Sequence, residues 1–312
     1  MTHPCPSHEH RLAIAHERAN AALSVPLAWS SLQVTGPDAQ TFLQGQMSCD
    51  MKQVTAEQAS LGCLLSLKGR IEASVIVVQG DAGYDLLMPS AQRETVRSRL
   101  AKYAVFSNVT LQPAQTHITG LLGNSALPKT LATTPYATQQ TANGQLIRLP
   151  GLHRGLRLQD EPATAAPDSA QAAWQAEAIV SGEQHIDETM KDLWQPQELD
   201  YHRLGGVSYQ KGCYMGQEIV ARLYFRGQLK TGLCWLHAPW VDTDASLEWP
   251  VMADEKAVGR VLSLAWPDAQ SIWLLASVRL DAEALYWQLA NGERVALSRE
   301  PFQRHELITP PG

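Results

Sequence analysis

The order of its patterns restricts this chain more than any single residue does. Two β-rich runs, L-G-C-L-L-S-L and I-E-A-S-V-I-V-V-Q-G, meet at Lys68-Gly69-Arg70, where a tight hairpin turn is predicted. Ahead of them, S-L-Q-V-T-G-P-D-A-Q-T-F-L-Q-G-Q-M reads as a strand ending at Gly36 and a short helix, with Pro37 in a first-turn position and Phe42 and Leu43 facing inward. After Gly80 and Gly83, Y-D-L-L-M-P is a further strand, and Ser90 caps a helix to Tyr103 that carries Val96, Leu100 and Tyr103 on one face. Strands gathered first and then covered by a helix make an α+β unit.

With 312 residues the chain exceeds one comfortable core and has room for two domains or three small ones. Residues 1–24 are polar and His-rich and read as a flexible extension; Cys5, His8 and His10 lie in it, where no second shell would orient them as metal ligands. Thr130 to Gly144, rich in Thr, Ala and Gln, reads as a surface connection, and Glu161 to Ser169 as a second. Between Ala170 and Val180, Trp174, Ala178 and Ile179 recur at helical spacing, and Gly182 suits a helix C-cap. Beyond Gly227 come short β runs broken by Pro, Gly and Asp, with a hairpin turn at Asn291-Gly292, so a small all-β domain starts near Leu229.

Apolar residues at 45% and charged residues at 18% exclude a disordered chain, and a net charge of −6 argues against electrostatic wrapping of duplex nucleic acid, though not against a local basic patch. The uncharged stretch Tyr103 to Pro128 is too rich in Ser, Asn, Thr, Gln and Pro to span a membrane. The beginning, M-T-H-P-C-P-S-H-E-H-R, has neither a secretory nor a transit-peptide pattern, and five scattered cysteines without a C-x-x-C pair suit a reducing compartment; a cytoplasmic protein is expected. G-x-G-x-x-G and G-x-x-x-x-G-K-S/T do not occur.

Chemistry concentrates in L-G-G-V-S-Y-Q-K-G-C-Y-M-G-Q-E-I-V-A-R. Gly212 and Gly216 flank Cys213, and Ile219, Val220 and Leu223 form an apolar helical face after it, so Cys213 is expected at or just before a helix start. Unpaired N–H groups there and the ammonium of Lys211 would favour a thiolate. The competing reading is a small buried apolar residue, the commoner fate of a free cysteine, and spacing leaves both open.

The segment K-G-C-Y-M-G-Q-E-I-V-A-R resembles the signature of the YgfZ-type folate-binding proteins, relatives of the glycine cleavage T-protein. The similarity extends to V-T-G-P-D-A-Q-T-F-L-Q-G-Q, L-A-K-Y-A-V-F-S-N-V-T and F-R-G. Met215 departs from the family's usual small hydroxyl residue, so a hydrogen bond from that side chain is expected to be missing.

The resemblance implies a GcvT-like α+β fold of two intertwined subdomains and a C-terminal β-barrel around a central opening. Residues 25–110 would form the first subdomain, with the chain returning near 180–228; 111–180 would form the second, and 229–312 the barrel. It further implies tetrahydrofolate binding in support of assembly or repair of [4Fe–4S] clusters, including those of tRNA-thiolating enzymes, with Cys213 as the functional thiol and Lys211 beside it. By the same similarity Trp29 and Trp174 contact the folate, although ordinary core packing explains tryptophans equally well. Arg222 and Lys211 would neutralise the folate's glutamate, or Arg222 is simply an exposed helix cation.

Client enzymes would be bound transiently by a monomer, with no stable nucleic acid binding, no membrane and no resident metal, since a [4Fe–4S] cluster takes four thiolates and the other cysteines lack cluster spacing. A non-catalytic folate sensor or scaffold in tRNA modification is one alternative. Aminomethyl transfer is the other, but the T-protein's essential Asp has no counterpart in M-P-S-A-Q-R-E-T-V-R-S-R-L.

Overall fold

In the strand Ile71–Gly80 every residue from Ala73 to Val78 is buried, so both of its faces must be covered. The computed structural model, which describes residues 2–19, 22–239, 244–289 and 291–305, shows how. Successive residues divide between two cores: Ala73, Val75 and Val77 face one, Ile71, Ile76 and Val78 the other. This strand lies second in a five-stranded antiparallel sheet ordered Ser60–Leu65, Ile71–Gly80, Gly83–Pro89, Trp29–Thr35, Thr110–Pro113. Helices α2 (Ala39–Gln46) and α3 (Arg93–Ala104) cover its first face, burying Phe42, Leu43, Val96 and Leu100 as their spacing predicts, whereas Tyr103, in the last turn of α3, is exposed and Gln92, not Ser90, holds the cap position.

The opposite face packs on a second five-stranded antiparallel sheet, ordered Leu23–Pro26, His117–Leu122, Arg154–Gln159, Gly144–Arg148, Thr138–Thr141, together with α4 (Asp168–Val180) and the returning segment that contributes Ile186, Trp194, Leu199, Tyr201, Val207 and Val220. The chain thus enters the second sheet, builds the first, goes back to the second and returns over the first, which intertwines the two α+β units. Val25 and Pro26 accordingly belong to the second sheet, and the strand Thr110–Pro113 carries the first past residue 110. The stretch read as a connection at 130–144 contains the strand Thr138–Thr141; T-Q-Q-T lacks apolar alternation because it is an edge strand held by its backbone ladder.

The third sheet has seven strands, ordered Arg294–Ala296, Tyr286–Gln288, Pro250–Ala253, Lys256–Ala265, Ser271–Arg279, Thr231–Pro239, Ser298–Glu300. Its two edge strands are separated in sequence by Leu297 alone, so the sheet curls into a nearly closed barrel around its own core. Asn291-Gly292 forms the expected turn, with Gly292 at φ 85°. No helix among the described residues is long and apolar enough to cross a membrane.

The expected flexible extension is instead structured. Residues His8–Arg18 form α1, capped by the Ser7 hydroxyl accepting from the His10 N–H at 3.2 Å, and Thr2–His3 pairs with Ala245–Ser246. One buried apolar side chain in about three turns suffices here, because Ile14 inserts into the central core while Arg18 reaches Glu177 of α4 at 2.9 Å. Polar composition concealed this helix, which is stabilised by docking and not by an apolar stripe of its own. Ile14→Ala is therefore expected to cost ~2–4 kcal/mol in denaturant unfolding; a change within about 0.5 kcal/mol, the range of surface substitutions, would mean that α1 is peripheral to the fold.

Candidate functional site

The signature loop is fixed to the first sheet by three sets of contacts. Its lead-in is stitched to Ser48, whose hydroxyl donates to Gly206 O at 2.5 Å and accepts from the Cys63 N–H at 2.8 Å, while Ser208 N–H donates to Ser48 O at 2.8 Å. Next, Lys211 Nζ donates to the carbonyls of Gln44, Met47 and Cys49 at 2.7, 2.8 and 2.7 Å. These are the orphan acceptors at and just beyond the C-terminus of α2, where a cation also complements the helix dipole. Burial draws the Lys211 pKa down to about 8, which still leaves an ammonium at neutral pH.

The third attachment is made of backbone. Gly216, at φ 77°, caps α5 (Gln217–Arg226), and a Cβ there would stand 2.6 Å from Ser66 O and 3.1 Å from Gly69 Cα. Gly69, at φ 68°, is also close to α5, and a Cβ there would stand 2.9 Å from the Ile219 side chain. The hairpin turn at 68–70 and the turn at 216 interlock only because neither residue carries a side chain.

Between these anchors Cys213 is exposed. It precedes the first residue of α5 by four positions, so it lies outside the first helical turn. All three N–H groups of the Lys211 ammonium are taken by these carbonyls, so Lys211 anchors the loop. Tyr214 is buried, with the Lys211 ammonium 4.8 Å from its ring centroid. Met215 is not without a hydrogen bond either: its thioether accepts from the Arg99 guanidinium, which also pairs with Glu72 at 2.6 Å. Cys49, Cys63 and Cys234 are buried, and burial pushes Cys49 up to about 11 and the other two upward, so these remain neutral thiols.

The two tryptophans lie at opposite ends of one row. Trp29, half-buried at the start of its strand, meets the His185 ring edge-on at 4.6 Å. His185 Nε2 stands 3.4 Å from Glu183 Oε1, and Glu183 Oε2 accepts from Arg154 Nη1 at 2.5 Å. The Arg154 guanidinium lies over the Trp174 ring at 3.9 Å. Gly120 and Arg154 project from the same face of the second sheet, and a Cβ on Gly120 would strike the indole at 2.9 Å, so Trp174 rests flat on that sheet. Its surroundings are those of a core residue.

Arg154 is 1% exposed, yet its Nε and Nη2 have no partner among the described residues. Burial would raise the Glu183 pKa, but the Arg154 charge and the His185 hydrogen bond outweigh it and hold it at about 2. Neither Arg154, Glu183 nor His185 was singled out from sequence. A signal existed: in R-G-L-R-L-Q, Arg154 occupies the same strand face as Leu156 and Leu158, where alternation calls for an apolar residue.

The structure does not bring Arg222 to this row. It is exposed on α5 and makes no ion pair among the described residues. A cavity of about 1090 Å³ opens beside the signature, walled by Leu67, Lys68, Arg99, Tyr103, Lys191 and Met215, with neither Trp29 nor Trp174 in its lining.

No family model matches the chain. It is 32% identical over 228 residues to the tRNA-modifying protein YgfZ of Escherichia coli O7:K1, covering 67% of this chain and 69% of that protein. It is 28% identical over 300 residues to the tRNA-modifying protein YgfZ of Sodalis glossinidius, covering 88% and 90%. Among solved structures, the glycine cleavage system aminomethyltransferase T of Bartonella henselae matches with a TM-score of 0.75 over 95% of this chain and 90% of that one at 14% identity, which shows a common fold.

The charge row makes a prediction. Glu183 titrates at about 2 in the folded chain against an ordinary 4.5, so its contribution is fully present above 4.5 and is lost as pH falls through about 2. Glu183→Gln is expected to lower stability at pH 7 by ~3–5 kcal/mol, because it leaves Arg154 buried without its partner. The difference from wild type should narrow between pH 4.5 and 2 in urea unfolding; a gap independent of pH would show that the carboxylate is not ionised in the fold.

Proposed function

Since the chain belongs to the YgfZ family of tRNA-modifying proteins, we propose that it serves tRNA modification by binding tetrahydrofolate and presenting the Cys213 thiol to enzymes that depend on [4Fe–4S] clusters. The observation that carries this reading is an exposed cysteine on a loop whose two flanks are anchored. A merely structural thiol is buried, as Cys49, Cys63 and Cys234 are, whereas a thiol that meets a partner must be exposed and held in place.

Trp29 and the row behind it suit a pterin. An indole face stabilises a flat heterocycle by stacking, about 0.5–1.5 kcal/mol beyond burial. The unpartnered Nε and Nη2 of Arg154 are donors that a ring acceptor would satisfy, and Glu183 with His185 offers a fixed polar edge. When bound, tetrahydrofolate supplies a carrier for a one-carbon unit; Trp29, His185 and Arg154 would orient it, with Trp174 as the floor beneath Arg154.

The cluster is cargo of the partner enzyme, because one exposed thiol cannot supply the four thiolates of a [4Fe–4S] site and the described residues contain no group of three or more His, Cys, Asp or Glu able to hold a metal ion. Aminomethyl transfer is disfavoured by the segment that follows Pro89. Its carboxylate, Glu94, is exposed and bound by Arg97 and Ser98, and Gln92 is buried.

In a deletion strain, Cys213→Ala is expected to fail to restore [4Fe–4S] enzyme activity and thiolated tRNA that the wild-type chain restores. Full restoration by Cys213→Ala would remove the thiol from the mechanism and leave the scaffold reading. Tetrahydrofolate is also expected to quench tryptophan fluorescence, with most of the quenching lost in Trp29→Ala; quenching that persists in Trp29→Ala combined with Trp174→Phe would exclude this ring site.

A further inference from the structure

The cations around the cavity beside the signature are of two kinds. Arg99 is committed to Glu72 and lies under the Tyr103 ring, 4.7 Å from its centroid. Lys68, Lys102 and Lys191 reach the same cavity from three separate elements, the hairpin turn, α3 and the segment after Thr189, and none of them has an ion-pair or hydrogen-bond partner among the described residues. Ammonium groups gathered in one cleft repel one another, and an anionic occupant reverses the sign of that interaction.

We propose that this cleft binds a short chain of carboxylates, the γ-linked oligoglutamate tail of a folate whose ring lies at Trp29; the identity of that ligand rests on the folate reading above. Two stretches of backbone connect the places. From Pro89, the strand partner of Trp29, six residues lead to Thr95 in the cavity wall, and from His185, at the Trp29 ring, six lead to Lys191. The Thr95 hydroxyl donates to the Glu188 carboxylate and ties the two stretches together. Six residues span at most ~20 Å, within reach of one extended ligand.

The spacing of charges favours carboxylates over a nucleic acid strand. Glu72, Glu94 and Asp192 stand among the lysines and divide the cationic surface into separate points. A phosphate backbone requires a continuous positive track, which the net charge of −6 does not help to provide. A flexible tail with one carboxylate per residue can place its charges at separate lysines, each a compact point charge on a long stem.

The test is calorimetric titration of the full chain with monoglutamyl tetrahydrofolate, pentaglutamyl tetrahydrofolate and oligo-γ-glutamate alone, on wild type and on Lys68→Gln/Lys102→Gln/Lys191→Gln. The pentaglutamyl form is expected to bind wild type about tenfold more tightly than the monoglutamyl form. The variant should lose that gain, keep the monoglutamyl affinity and melt like wild type, and raised salt should weaken the gain in wild type. Equal affinities of the two forms on wild type, or a gain retained in the variant, overturn the proposal while the folate site stands. Lysine-dependent binding of oligo-γ-glutamate and of the pentaglutamyl form with equal affinity, with no binding of the monoglutamyl form, upholds the cleft and refutes the folate ring site. A lysine-dependent affinity for single-stranded oligouridylate with none for oligo-γ-glutamate assigns the cleft to RNA and overturns the proposal.

Discussion

One ammonium group fixes the signature loop in place. Lys211 closes the end of α2 by donating to three carbonyls, and through that contact a loop assembled late in the chain is fastened to a subdomain assembled early. The positions on either side follow from it. Tyr214 turns inward over the lysine, Gly216 abuts the hairpin turn, and Cys213, between two fixed points, is left facing solvent. Such an anchor is costly to break, because buried carbonyls left without a donor each lose their desolvation compensation.

A second constraint operates where the two subdomains meet. Arg154 comes from the second sheet, Glu183 and His185 from the chain that leaves α4, and Trp29 from the first sheet, so one line of charge and ring contacts crosses the joint. A buried guanidinium is tolerated only with a partner, which is why Glu183 stays ionised despite its burial. The same pairing leaves donors of Arg154 unused, so the line that holds the subdomains together also carries capacity for a polar ligand.

The α+β class, the helix faces at Phe42, Leu43, Val96 and Leu100, the hairpin at 68–70 and the all-β end were legible because each is written in local period or turn chemistry. Helix α1 was not, since Ile14 alone enters the core and its docking on α4 is a tertiary event. The glycine-flanked position of Cys213 was legible in the signature, but the anchoring contacts of Lys211 were not, because its four-carbon stem carries the ammonium to carbonyls more than 160 positions away. Met215, read as a lost hydrogen bond, became an acceptor for Arg99 for the same reason.

By itself, the sequence determined those strands and helices that carry an apolar period or turn signal of their own, and that one cysteine sits in a glycine-flanked turn before a helix, because backbone preference and apolar spacing act over a few residues. Only the tertiary structure decided that this cysteine is exposed, that Lys211 caps a distant helix, and that Trp29 and Trp174 are joined through His185, Glu183 and Arg154. Those outcomes depend on which buried polar groups find one another across the fold, and a charge taken out of water goes to whatever acceptor the packing places within reach, not to its neighbour in the chain.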